Sequence, residues 1–339
     1  LIRKREKILF HTVTADCIKN DTPRQPLTPT GAATIICGSE QQLPGYLRTH
    51  KRVLLRNGHS SVKQTFSGAM MTKVNTLVIT GYGTNCEVEC AHAARIAGAD
   101  AVEIAHFSDL ETGRIRLEDF NFLIFPGGFL DGDDLGAAQA AAQRWRHAQT
   151  KDGTPLLDQL KNFFDRGGLI MAICNGFQLL VKLGLLPALD SMYFERQVSL
   201  SHNDSARYED RWCHLKVNTH SPCVFTHGLT SLYIPVRHGE GKLIPENEET
   251  LKRLVAENLV VFQYAHPETM EVTQEYPWNP NGSPLGIAGL TDPTGRVLGL
   301  MPHPEAFNHV TNHPGWTRGE SDPLGTVLFE NAVAYLKKQ

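Results

Sequence analysis

The sequence predicts an α/β protein, a mostly parallel sheet flanked by helices with an inserted antiparallel β region. Two observations carry this. From Thr76 onward, short apolar runs alternate with longer helical patterns, which is the signature of strands laid parallel with helices on both faces. Between Leu189 and about Gly295 the pattern changes to short runs of period two, broken by Gly, Pro and Asn clusters, as in antiparallel strands with one wetter face.

The 339 residues suffice for one large or two modest domains. Seven cysteines, an odd number scattered along the chain, do not form a disulfide framework and favour a reducing, cytoplasmic setting. No apolar run reaches membrane-spanning length. The net charge of −3 hides an asymmetry: residues 1–70 hold 11 Lys+Arg against 4 Asp+Glu, and the remainder is acidic. An acidic body argues against non-specific nucleic-acid binding.

Residues 1–70 read as an N-terminal extension, poorly ordered, because apolar content is low and Pro23, Pro26 and Pro29 interrupt it. Only residues 33–37 and 52–55 resemble strands there. The natural start is expected at Met70 or Met71, and residues 71–339 form the working domain.

The first strand is expected at residues 76–80, followed by a helix at 87–97 stopped by Gly98. Residues 101–105 and 122–125 are the next strands, the latter ending in Pro126-Gly127-Gly128-Phe129. An Ala/Gln-rich helix covers about 135–148. Another begins at Thr154-Pro155, with Thr as N-cap, and stops at Gly167-Gly168. Strand 169–173 meets Cys174 and turns at Asn175-Gly176 into a helix ending at Gly184. In the middle region, strands are expected at 193–200, 213–217, 232–236, 260–264 and 271–276, with one helix at 246–257. A strand at 295–301 precedes Pro302-His303-Pro304-Glu305, and a helix at 324–336 closes the chain.

The chemistry centres on two places. A cysteine on a sharp strand-to-helix elbow has its sulfur pushed outward, and the helix N-terminus favours the thiolate. His303 and Glu305, two apart on an extended segment, share a face. A histidine at a strand end is the base a thiol needs, and a carboxylate orients it. The ends of the strands before Asn85, Gly128 and Cys174 all fall at one edge of a parallel sheet, where ligands bind. Other motifs are weaker. Gly81-x-Gly83 lacks the third glycine of a dinucleotide fingerprint. Cys86-x-x-x-Cys90-x-His92 lacks a second ligand pair, so it reads as a packed helix face and no metal is expected. His202, His214, His220, His227 and His238 each read singly as surface or packed residues.

Cys174-Asn175-Gly176-Phe177-Gln178 together with His303-Pro304-Glu305 resembles the class I (triad) glutamine amidotransferases, whose fold is flavodoxin-like. More narrowly, Gly83-Thr84-Asn85-Cys86, Pro126-Gly127-Gly128-Phe129, residues 203–212, 235–241, 276–284 and 301–305 resemble the glutaminase subunits of phosphoribosylformylglycinamidine synthase. The resemblance spans about residues 75–336 and leaves 1–70 outside it. It implies that Cys174 is the nucleophile, His303 the base and Glu305 its orienter. It implies that backbone N–H groups near Gly128 and at Asn175 hold the oxyanion, and that Gly127, Gly128, Phe129, Asn175 and Gln178 bind substrate glutamine. It also implies a partner synthetase subunit that uses ATP and Mg to amidate formylglycinamide ribonucleotide, and a small accessory subunit. No cofactor is expected in this chain, which has no Gly-x-x-x-x-Gly-Lys-[Ser/Thr] loop. Glu209, Asp210, Arg207, Arg211 and Arg237 are candidates for the partner interface or plain solvated charges. The alternatives are a glutaminase serving another synthetase, a related Cys-His hydrolase, and a non-catalytic regulatory binding subunit.

Overall fold

Long apolar strands that bury both faces force a layered arrangement, and the layers follow the chain order closely. The computed structural model describes residues 72–339. The extension at 1–70, its two short strand candidates and the proposed start at Met70 or Met71 lie outside the described residues.

The chain runs β1 (Asn75–Thr80), α1 (Glu87–Ile96), β2 (Ala101–His106), a short α2 (Phe107–Glu111), β3 (Phe122–Phe125), α3 (Gln139–His147), α4 (Leu156–Asp165), β4 (Leu169–Ile173) and α5 (Asn175–Leu183). The inserted segment follows as β5 (Val198–Ser201), β6 (Glu209–Val217), β7 (Ser231–His238), β8 (Lys242–Pro245), α6 (Glu248–Ala256), β9 (Val260–Ala265) and β10 (Ile287–Thr291). Strand β11 (Val297–Leu300) and α7 (Val327–Leu336) complete it.

Nine strands form one sheet in the order β2-β1-β3-β4-β11-β10-β9-β6-β7, and β5 pairs with β8 separately. The five strands β2 to β11 in that order are mutually parallel, whereas β10, β9, β6 and β7 pair antiparallel. Both expected kinds of β structure are therefore present, and the antiparallel insert, entered after α5 and left at β11, extends the parallel sheet. Every residue of β3, β4 and β11 is buried, as the non-alternating apolar runs require. Among the described residues, no helix is long and apolar enough to cross a membrane.

Several element boundaries differ from expectation for local reasons. Residues 271–276 make only one bridge, Val272 to Ala265, because their alternate face has nothing to bury against: Val272 and Tyr276 stay 37% and 57% exposed. Helix α3 starts at Gln139 because Ala138 takes a positive φ, with its N–H held by Asp133. Pro155, not Thr154, is the N-cap of α4, and the Thr154 N–H is spent on Thr150 Oγ1. The expected strand at 193–200 shortens to β5 because Phe194 adopts φ 68°. Three elements, α2, β8 and β10, carry too few residues for a readable period and were not expected.

Candidate active site

Register decides what meets at the carboxyl end of the sheet. Strand β11 lies beside β4 with Leu300 opposite Ile173, and the Cys174 N–H donates to the Leu300 carbonyl at 2.8 Å. The residues immediately beyond the two strands are thus neighbours, although more than a hundred positions separate them.

Cys174 is the elbow. Its φ of 50° and ψ of −105° lie outside the regions open to ordinary L residues, a conformation that costs roughly 1–3 kcal/mol and persists only when its surroundings impose it. The surroundings are β4, buried throughout, and α5, which starts at once. Gly176 permits that start: a Cβ there would stand 2.1 Å from the Phe125 carbonyl oxygen. The thiol is 5% exposed and donates to the Arg237 carbonyl at 3.4 Å.

His303 reaches the same place from β11. Its backbone N–H is held by the Pro235 carbonyl at 2.8 Å, so the end of β7 fixes its height. Nδ1 lies 2.6 Å from Glu305 Oε1, with both side chains buried. That bond places a proton on Nδ1 and leaves Nε2, which has no hydrogen-bond partner among the described residues, as the nitrogen free to exchange one. Burial by itself pulls the imidazole toward neutrality. The Glu305 charge, the neighbouring Cys174 and Cys86 thiols and the hydrogen bond that Nδ1–H donates to Glu305 outweigh it and hold His303 well above the ordinary histidine range.

The Gly127-Gly128 turn lies over this pair. A Cβ on Gly127 would come within 2.7 Å of His303 Cε1 and 3.4 Å of Cys174 Cβ, so only glycine fits between base and thiol. Gly128, at φ 150°, has no room either: a Cβ would meet the Gly83 carbonyl oxygen at 2.4 Å. Among the described residues, no hydrogen bond engages the N–H of Gly128 or of Asn175. Phe129 is 46% exposed at the rim, with its ring 6.3 Å from that of Tyr208.

The remaining expected substrate residues are engaged by protein. The Asn175 side chain accepts from the Leu130 N–H at 2.9 Å and donates to Gln178 Oε1 at 2.8 Å and to Asp133. Gln178, 4% exposed, donates to the Glu240 carbonyl at 2.5 Å. Glu209 is buried and paired with Arg211, which also lies over the Tyr276 ring, so these two are packed structure and not free loop charge.

One neighbour was missed. Cys86, read with Cys90 as a packed helix face, is the N-cap residue of α1, and its sulfur lies 3.8 Å from His303 Nδ1. Burial pushes its thiol up, so it stays protonated beside the His–Glu pair. Cys90 is fully buried, as expected. The signal was positional: Cys86 follows the loop at the carboxyl end of β1, the same sheet edge as Cys174. Donor atoms of Cys86, His303 and Glu305 lie within 4.8 Å of one another; among the described residues no such group includes Cys90 or His92.

Comparisons with known proteins give the family. A family model described as a CobB/CobQ-like glutamine amidotransferase domain matches residues 73–336. The chain is similar to phosphoribosylformylglycinamidine synthase subunit PurQ of Methanococcus maripaludis, at 44% identity over 79% of this chain and 100% of that one. It is 41% identical to the PurQ subunit of Dehalococcoides mccartyi over 79% and 100%. Among solved structures, PurLQS from Thermotoga maritima aligns with a TM-score of 0.56 at 27% identity, over 78% of this chain and 99% of that chain.

Proposed function

The chain belongs to the CobB/CobQ-like glutamine amidotransferase family, among the PurQ subunits of phosphoribosylformylglycinamidine synthase, and from that premise we propose that Cys174, His303 and Glu305 are the triad by which it releases ammonia from glutamine for a partner synthetase. The observation that carries the triad is the convergence of a strained thiol and a buried His–Glu pair beside Gly127, from adjacent parallel strands.

The steps follow from the atoms. His303 Nε2 takes the Cys174 proton, and the sulfur attacks the side-chain amide carbon of glutamine. The oxyanion forms beneath the free N–H groups of Gly128 and Asn175. Preorganised donors of this kind are each worth about 3–4 kcal/mol in other enzymes. His303 returns the proton to the departing nitrogen as the C–N bond breaks, which releases ammonia and leaves a glutamyl thioester. Water, deprotonated by the same Nε2, attacks the thioester; the C–S bond breaks, glutamate leaves and the thiol regains its proton. Glu305 holds the ring and stabilises the imidazolium in both halves. Gly127, Gly128, Phe129, Asn175 and Gln178 shape the glutamine site, the last two by fixing the loops around it.

The ammonia goes to a synthetase subunit, joined by a small accessory subunit, that spends ATP with Mg to amidate formylglycinamide ribonucleotide. Residues 71–339 are the working domain, and residues 1–70 are an extension outside it.

The test is Cys174→Ala in the assembled enzyme. Synthesis from glutamine should fall on the order of 10⁴-fold while synthesis from added ammonia persists. Loss of both activities, or of neither, would defeat the triad.

A further inference from the structure

Three of the stretches that mark this family, residues 203–212, 235–241 and 276–284, contribute no reacting atom, yet they converge on one short segment of backbone. Asn203 Oδ1 accepts the Gly241 N–H at 3.0 Å and lies 3.0 Å from His238 Nδ1; its Nδ2 donates to the carbonyls of His238 at 2.8 Å and Arg207 at 2.9 Å. From the other side, Asn281 Nδ2 donates to the Gly241 carbonyl at 2.8 Å. Ser283 Oγ reaches the same carbonyl at 3.4 Å and accepts the Leu243 N–H. Asn203, His238, Asn281 and Ser283 are each at most 3% exposed. Gly241 is gripped on both its peptide groups, and a Cβ there would stand 2.6 Å from the His238 ring.

Closing a surface turn needs no buried amides; desolvating them is unfavourable unless each finds a partner. Both amide atoms of Asn203 and of Asn281 are partnered, His238 Nε2 alone staying unpartnered among the described residues, and amides so held fix one geometry. What is fixed here is visible at the two ends of the segment. The Arg237 carbonyl accepts the Cys174 thiol, and the Glu240 carbonyl accepts Gln178. The grip carries no charge, because burial and then the His303 charge push His238 down to about 3.

We propose that Asn203 and Asn281 are positioning residues of the glutaminase reaction: they clamp residues 237–241 as one wall of the site, setting the Arg237 carbonyl against the nucleophile and the Glu240 carbonyl against Gln178. This rests on the triad reading above. The inserted antiparallel segment therefore takes part in glutamine hydrolysis through backbone carbonyls and supplies no reacting group itself.

The experiment uses the full chain assembled with its synthetase, and the variants Asn203→Asp, Asn281→Ala and their double. The readouts are kcat and KM for glutamine, synthesis from ammonia, and the rate at which iodoacetamide labels Cys174. Asn203→Asp keeps the shape and the acceptor but loses the donor. Each single variant should lose about 10- to 100-fold in kcat for glutamine, the size expected when a reacting group is displaced by about an ångström. KM should change far less, labelling of Cys174 should change with kcat, and ammonia-dependent synthesis should stay within about twofold, since the wall lies outside the synthetase. The double variant should lose little more than the worse single, because both act through Gly241. Ser283→Ala, which removes only one hydroxyl, repeats the test with a smaller loss should a clamp variant not fold. Unchanged kcat for glutamine, parallel loss of both activities, or fully additive losses would each overturn the proposal. A parental enzyme whose glutaminase survives Cys174→Ala would instead overturn the triad reading.

Discussion

The two halves of the nine-stranded sheet are written differently and work differently. In the parallel half, β3, β4 and β11 bury every residue, and the reacting groups sit just beyond their ends, where apolar packing lets no part shift. In the antiparallel half, β6 and β7 alternate between buried and wetter positions, and β7 with the loop after it gives the site backbone carbonyls, at Pro235, Arg237 and Glu240. The first half holds the nucleophile and its base; the second holds the wall they face. A side chain that must change protonation is built on the apolar half, and the polar grip is built on the half that carries buried polar residues.

The largest effect expected from breaking this division, apart from loss of the nucleophile itself, is at Glu305. Glu305→Gln keeps the volume but removes the charge that holds His303 up, so burial then pulls the ring toward neutrality. Glutamine-dependent activity should fall about 10²- to 10⁴-fold, as for the orienting carboxylate of other triads. Stability supplies an independent sign. A histidine raised above its ordinary value of 6.5 contributes stability that is complete below that value and lost as pH rises through its folded pKa. Urea unfolding of parent and variant across that range should show their difference shrinking as pH rises. A gap that is constant, or that widens, would mean that His303 is not held charged by Glu305.

Cysteine labelling sharpens the same contrast. Burial pushes Cys90 well up and takes Cys213 and Cys223 to about 12, and it raises Cys86 too. Cys86 also stands at a helix N-terminus near the raised imidazole, but it faces Nδ1, which is committed to Glu305, whereas Cys174 is the thiol on the strained elbow. Iodoacetamide should therefore label it roughly tenfold or more ahead of those four at neutral pH, by mass spectrometry of digests. Labelling of Cys86 at the same rate would move the activated thiol from β4 to the loop after β1.

How far the sequence could be read follows the same boundary. The parallel half was legible because its strands are dominated by apolar residues, unbroken in β3 and β4, and each functional residue stands where a run ends, as Cys174 does after Ile173 and His303 does after β11. The insert was legible as antiparallel but not in detail. Val272, Gln274 and Tyr276 alternate like a strand and yet find no layer to cover them, while β10, buried throughout but carrying a glycine and a threonine, hid among loop residues. That His238 packs against Asn203 was not legible, because nothing local records that residues 35 apart share a buried hydrogen bond. Cys86 was misread for the opposite reason: its helical spacing with Cys90 suggested a packed face, and its true partner lies 217 positions away.

The smallest expected effects come from two glycines that compare the halves by packing alone. Gly299 lies in β11, where an added Cβ would stand 2.1 Å from Phe177 Cδ2 and 2.6 Å from Leu186 Cδ1. Those atoms belong to the layer that seats α5, so Gly299→Ala should destabilise the fold by about 1–3 kcal/mol, as overpacking does. Gly239 lies in the wall contributed by the insert, outside the positive-φ region, with Tyr208 Cδ2 at 3.9 Å as the nearest contact for a Cβ. Gly239→Ala should stay within about 0.5 kcal/mol of the parent. Thermal unfolding of the two variants measures the comparison directly. Equal destabilisation would show the wall to be packed as tightly as the catalytic half, and the contrast between a half held by packing and a wall held by hydrogen bonds would then have no physical basis.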